Sequence, residues 1–240
     1  MKQLPHRLLP ALTAIALASQ SMFVPTAAQT PPPAAAPARG PASSLTRPAS
    51  LTKAPDAAGF IQRWLILEPI KVPGQLTESA VQAAVKKDYF ANQFTVVPRD
   101  GDKVTIGGES LAWHGIDTLA YNINLFHFAY ALNKSMSNVL FWAVTVINAP
   151  VDMADVRLAI GSNAASIWWL NGQEAIDIYN DRQAVIDDGV SKRVTLKKGP
   201  NVLRAAVINA GGATDFCARF LDENGHPVKG FTISLEGGKP

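Results

Sequence analysis

The stretch that decides the fold is Ser166-Ile167-Trp168-Trp169-Leu170-Asn171-Gly172-Gln173-Glu174-Ala175-Ile176-Asp177-Ile178. Two strand-like runs flank Asn171-Gly172. A two-residue Asn-Gly connection favours a type I′ hairpin, because that turn needs positive φ at both central residues. Trp168 and Trp169 are adjacent in the first run and so point to opposite faces of a sheet. One is therefore core; the other faces outward or lies under a covering element.

Working outward, Val139–Asn148 (VLFWAVTVIN) is a β-branched and aromatic run too apolar for an exposed edge, and reads as a central strand. Val156, Leu158 and Ile160 alternate with Arg157 and Ala159. Val194–Leu196 and Asn201–Asn209, joined by Lys197-Lys198-Gly199-Pro200, read as a second hairpin. Gly211-Gly212 turns the chain into Asp215–Leu221, and Asn224-Gly225 turns it towards Phe231, Ile233 and Leu235, which share one face. Upstream, Phe60–Ile70 reads as a strand ending at Pro69, and Lys103–Ile106 as a short one. Thr77–Phe90 reads as a helix with Thr77 as N-cap and Ala80, Val81, Ala84 and Val85 as its apolar stripe. Leu125–Leu132 fits either a helical turn or an irregular strand. Many short strands, close turns and few helices predict a mainly β protein, an antiparallel β-sandwich of jelly-roll type with one or two short helices.

The ends of the chain differ in kind. Residues 1–28 carry Lys2 and Arg7, a short apolar run over 8–18 and small residues up to Ala28, the pattern of a cleaved export signal. The apolar run is too short to span a bilayer, so no membrane span is expected after cleavage, and the protein is expected to be secreted or periplasmic. Residues 29–56 hold seven prolines and seven alanines and read as an extended, disordered spacer; residues 57–240 are left as the folded domain. The whole chain of 240 residues has a net charge of +3. Lys2, Arg7, Arg39, Arg47 and Lys53 precede residue 57 against one acid, Asp56, which leaves 17 basic and 18 acidic residues from 57 onward. A nearly neutral domain argues against nucleic acid as a partner. One cysteine, Cys217, excludes an intrachain disulfide; it alternates with Phe216 and Ala218 and reads as a small apolar packing residue.

The motifs over 158–235 carry a resemblance. Gly161-Ser162-Asn163-Ala164, the run Ser166–Gly172, Arg182, Leu196–Asn201 and Phe216–Phe220 resemble a galactose-binding-like β-sandwich, the ancillary, non-catalytic domain of secreted bacterial polysaccharide-active proteins such as acetylxylan esterases and glycoside hydrolases. Trp64-Leu65-Ile66-Leu67-Glu68-Pro69-Ile70 is similar to the opening of such domains, with Glu68 where they have glycine. At Asn163-Ala164 this chain lacks the acids of the pattern. The resemblance implies a carbohydrate-binding accessory role, with a polysaccharide or oligosaccharide as partner and the enzyme on a separate polypeptide.

The candidate ligand residues are Trp113 and His114, placed in a loop-like setting near Gly108 and Gly115; Trp168; and Tyr179, Asp181 and Arg182 in the polar stretch after the hairpin. Aromatic rings suit the apolar face of a pyranose, and Asp, Asn and Arg its hydroxyls. Each has a plainer reading: the tryptophans as core, Arg182 as an ion pair with Asp187 or Asp188. Trp64 and Trp142 read as core, Asn171 and Asn201 as turn residues. No motif specifies a cofactor or metal; structural calcium is open to the carboxylates of 177–188, but no D-x-D-x-D-G loop calls for it. Gly108-Glu109-Ser110-Leu111 resembles the G-D-S-L block of secreted serine esterases, with His226 as distant base, which makes an esterase using Ser110 a further alternative to a docking sandwich without sugar affinity. Such esterases have α/β folds, against the pattern here.

Overall fold

The computed structural model describes residues 45–236. Fourteen strands and two helices follow one another: β1 Leu45–Thr46, β2 Arg63–Leu67, β3 Ile70–Lys71, α1 Glu78–Lys86, β4 Lys103–Ile106, β5 Glu109–Thr118, β6 Ile123–Asn124, α2 Leu125–Ala131, β7 Val139–Ala149, β8 Met153–Ser162, β9 Ala165–Leu170, β10 Gln173–Ile178, β11 Gly189–Leu196, β12 Gly199–Asn209, β13 Asp215–Leu221 and β14 Thr232–Ser234. The protein is mainly β. The larger sheet runs β1-β5-β2-β7-β12-β9-β10, with β3 and β14 also beside β7 and β4 beside β5; the smaller runs β11-β8-β13-β6. All these pairings are antiparallel.

The two sheets pack as a sandwich. Between them lie Trp64, Phe141, Trp168 and Leu203 from the larger sheet and Leu158, Ile160, Phe216 and Phe220 from the smaller. Trp64, Trp168 and Phe216 meet edge-on, with centroids 5.0–5.9 Å apart, the arrangement that ring quadrupoles favour. The central run is buried from Val139 to Ile147, for a reason the alternation explains: the other face of the larger sheet is covered too. Leu140, Trp142, Val144, Trp169, Ala206 and Ile208 form a second apolar layer beneath Val81 and Val85 of α1 and Phe90 and Phe94 of the segment after it. Trp169 stacks on Trp142 across β12, centroids 5.8 Å apart. The residue of β12 level with Trp142 is Ala206, small enough to let the two indoles meet.

The Asn-Gly hairpin forms as read, with φ of 51° at Asn171 and 79° at Gly172. The second hairpin does not. β11 pairs with β8 in the smaller sheet, whereas β12 pairs with β7 and β9 in the larger. The turn at 197–200 is a crossover between layers, and the signals for a turn are the same in both cases. Helix α1 ends four residues before the expected limit. Thr77 occupies its N-cap position without a side-chain capping bond. Leu125–Ala131 is helical, capped by Asn124 Oδ1, which accepts from His127 N at 2.7 Å. Phe231 and Ile233 enter the core between the sheets, but Leu235 packs with the outer layer.

The folded part begins earlier than composition suggests. Residues 45–56 lie along the larger sheet: Leu45 and Thr46 pair with Thr118 and Asp117, and Lys53 exchanges backbone hydrogen bonds with Ile233. Alanine and proline abundance masked a segment whose backbone groups complete the sheet edge. The export signal expected at 1–28 and the expected spacer as far as 44 lie outside the described residues. No helix among those described is long and apolar enough to cross a membrane.

Candidate functional site

The sequence-predicted site residues do not converge. Trp113 is in strand β5, not a loop. It is 1% exposed and packs edge-on to Phe90 at 6.1 Å. The glycines that suggested a loop serve other ends: Gly107 and Gly108, with φ of 59° and 85°, make the β4–β5 turn, and Gly115 is a strand residue. Trp168 is fully buried between the sheets and donates from Nε1 to Ser166 Oγ at 2.9 Å. Trp168 therefore offers no face to a ligand and is core, whereas Trp113, buried though it is, borders a small cleft of about 200 Å³ with Phe90 and Val104. Arg182 pairs with Asp188, the plainer of its two readings. Asp181 is exposed beside it. Tyr179 donates to Asp177 Oδ2 at 2.7 Å and accepts from Gln82 of α1; burial, then the Asp177 bond, push its phenol up to about 12. Asp187 is held by Arg219, Nε to Oδ1 at 2.9 Å. The carboxylates of Asp177, Asp187 and Asp188 are thus engaged by protein partners. Among the described residues no group of three His, Cys, Asp or Glu is placed to hold a metal ion.

His114 is different. On β5, its Nε2 lies 3.1 Å from Glu68 Oε1; Glu68 Oε2 lies 3.1 Å from Lys134 Nζ; and Lys134 is 2.9 Å from Glu109 Oε1. Burial pushes the Glu68 carboxyl up, but the bonds from His114 and Lys134 outweigh it and hold the group below its ordinary value. Glu109 and Glu68 in turn raise Lys134. The chain of charges ends at a cleft.

That cleft, about 400 Å³, lies between three elements. Strand β3 contributes Ile70 and Lys71, placed by its pairing with Val139 and Leu140 after Pro69 has ended β2. The chain leaving α1 contributes Lys87, Asp88 and Tyr89. The β4–β5 hairpin contributes Thr105, Ile106, Glu109 and Leu111. Ile70 and Leu111 are buried, Tyr89 and Ile106 half-buried, and the charged residues exposed. Tyr89 is fixed: its hydroxyl donates to Ala84 O at 2.9 Å, burial raising its pKa, and Lys87 Nζ stands 5.6 Å from its ring centroid. Gln93, 3% exposed, accepts from Tyr89 N and donates to Val85 O and Lys87 O, which ties the segment to the helix end. An apolar floor with two bases and two acids on the rim can hold an uncharged amphipathic ring and hydrogen-bond its edges.

Reading the sequence missed Lys71, Asp88, Tyr89 and Glu109. Two signals pointed to them: Gly107-Gly108 between strand-like runs is itself a hairpin turn, and Lys87-Asp88-Tyr89 is a polar–aromatic triplet at a helix end. Ser110 is exposed on β5 opposite Thr105, and His226 closes the 222–226 turn 3.6 Å from Asp222. The antiparallel sheets are not the α/β fold that such esterases resemble.

No family model matches the chain, and no curated protein matches it. Solved structures do. The PA14 sugar-binding domain from an RTX adhesin is 12% identical with a TM-score of 0.40, covering 71% of this chain and 96% of that one. The PA14 domain of the antifreeze protein MpAFP is 12% identical with a TM-score of 0.36, covering 78% and 88%. The β-glucosidase from Kluyveromyces marxianus in complex with glucose is 19% identical with a TM-score of 0.35, covering 45% of this chain and 13% of that one.

Proposed function

We propose that this chain is a secreted, non-catalytic carbohydrate-binding module of galactose-binding-like type, accessory to polysaccharide recognition or breakdown by a separate enzyme. The observation that carries the reading is the cleft at Tyr89: an apolar floor of Ile70, Leu111 and Tyr89 beneath a rim of Lys71, Lys87, Asp88 and Glu109. A pyranose has the matching character, with apolar C–H faces and hydroxyl edges. The motifs of 158–235 support it from the sequence side. His114 contributes through Glu68, Lys134 and Glu109 rather than by touching the ring.

Affinity electrophoresis through gels containing plant and bacterial polysaccharides tests the reading. Retention on at least one polysaccharide is expected, and Asp88→Ala or Glu109→Gln should abolish it; both side chains are exposed, so the fold survives. Failure of every polysaccharide to retard the chain, or retention unchanged in both variants, would overturn the assignment. A sandwich that docks on a protein is the second reading, and the exposed Val185, Ile186 and Val190 favour it; recovery of a stable complex without sugar affinity would decide for it.

A further inference from the structure

We infer that the cleft beneath the N-terminal arm is a binding site for an oxyanion (a sulfate, phosphate or carboxylate carried by a ligand). The inference is independent of the sugar reading and uses other residues. The cleft measures about 450 Å³, and its polar lining is Arg47, Ser50, Arg63, Arg99, Asp100 and Glu236.

Its floor is built. Arg63 is 1% exposed and locked: Nε and Nη2 donate to the two Asp117 oxygens at 2.8 Å each, and Nη1 donates to Ser50 O at 2.9 Å. Lys53 stands behind it, 3.2 Å from Thr118 O and 4.0 Å from Asp117. Above this floor Arg47 and Arg99 are exposed, and their guanidiniums have no partner among the described residues. Two unpaired planar forks in one cleft suit a group that accepts parallel N–H bonds. Asp100 is turned to the fold, its Oδ1 accepting from Gly115 N at 2.8 Å.

The charge is local. The lining carries Arg47, Arg63 and Arg99 against Asp100 and Glu236, a net of +1, whereas residues 45–236 as a whole hold 18 bases and 19 acids, a net of −1. Residues 1–44 contain neither Asp nor Glu. The rivals for the arginines are the cleft's own Asp100 and Glu236, and the experiment separates these from an external ligand.

The full chain is titrated with sodium sulfate, sodium phosphate and sodium acetate at constant ionic strength made up with sodium chloride, following the arginine Nε–Hε resonances by NMR. Saturable shifts at Arg47 and Arg99 are expected. Arg47→Ala and Arg99→Ala should each weaken binding by about tenfold, with amide spectra otherwise unchanged, and Lys192→Ala on exposed β11 should leave it intact. Saturation by sulfate or phosphate assigns a tetrahedral group; saturation by acetate assigns a carboxylate. Shifts that chloride reproduces, no saturable shift at all, or affinity unaltered in both arginine variants would each overturn the site and leave the arginines to Asp100 and Glu236.

Discussion

Three side-chain positions make the energetics concrete. Cys217 is 2% exposed in β13, and burial first of all pushes its thiol up to about 12. The native protein should resist a thiol reagent at mildly alkaline pH and react fully once denaturant is added; rapid native labelling would contradict the packing. At Gly161 a Cβ would stand 2.1 Å from the Val185 carbonyl oxygen. Backbone cannot yield as a side-chain tip can, so Gly161→Ala should cost about 1–3 kcal/mol, read from urea unfolding. The glycine was visible in the sequence as part of a motif, but its reason was not: the neighbour it makes room for is 24 residues away in the chain. Glu68 shows the reverse balance. Its folded pKa lies below the ordinary 4.5, so its stabilisation is complete above that value and drains away as pH falls through the lower folded value. Unfolding of wild type and Glu68→Gln from about pH 7 down to about pH 3 should show a stability gap that closes with acid.

Strands were legible one by one, whereas their partners were not. Alternation and β-branched runs reveal a strand and its two faces, and Asn171-Gly172 reveals a hairpin because the turn itself demands those residues. The 197–200 turn carries equally strong signals yet joins two layers, and the residue that arranges this is Asn201. Fully buried, its Nδ2 donates to Lys197 O at 2.7 Å and Gly199 O at 3.1 Å, while Oδ1 accepts from Lys197 N and Asn171 Nδ2 at 2.9 Å each. One amide thus stitches the crossover to the neighbouring hairpin. Asn201→Ala would strand these buried groups at a cost of about 2–4 kcal/mol, and the loss should appear in thermal melts; a neutral outcome would show that water replaces the amide. Trp113 failed for a similar reason. Its flanking glycines serve one tight turn and one close approach, so a strand between them looked like a loop.

For the molecule as a whole, fold class could be read and the site could not, because a cleft is made by elements distant in sequence: β3, the end of α1 and the β4–β5 hairpin. Composition reports what a segment can bury, not whether its backbone finds a sheet edge, and within 45–56 Leu45, Thr46 and Lys53 find one. Removing residues 45–56 deletes the β1 pairing, the Lys53–Ile233 exchange and the Ser50 oxygens that hold Arg63. A chain beginning at 57 should lose on the order of 2–4 kcal/mol in urea titrations, against no change if the arm is merely adjacent. Arg204 acts over a similar range. This guanidinium belongs to β12, level with Val144 and Trp169 of the adjacent strands, burial lowering its pKa to about 10, and its Nη2 donates to the carbonyl of Val96. It works as a rivet between the sheet and the stretch that also presents Asp88 and Tyr89. The shape of the wall in the proposed cleft is therefore decided partly underneath, by a cation that does not line it.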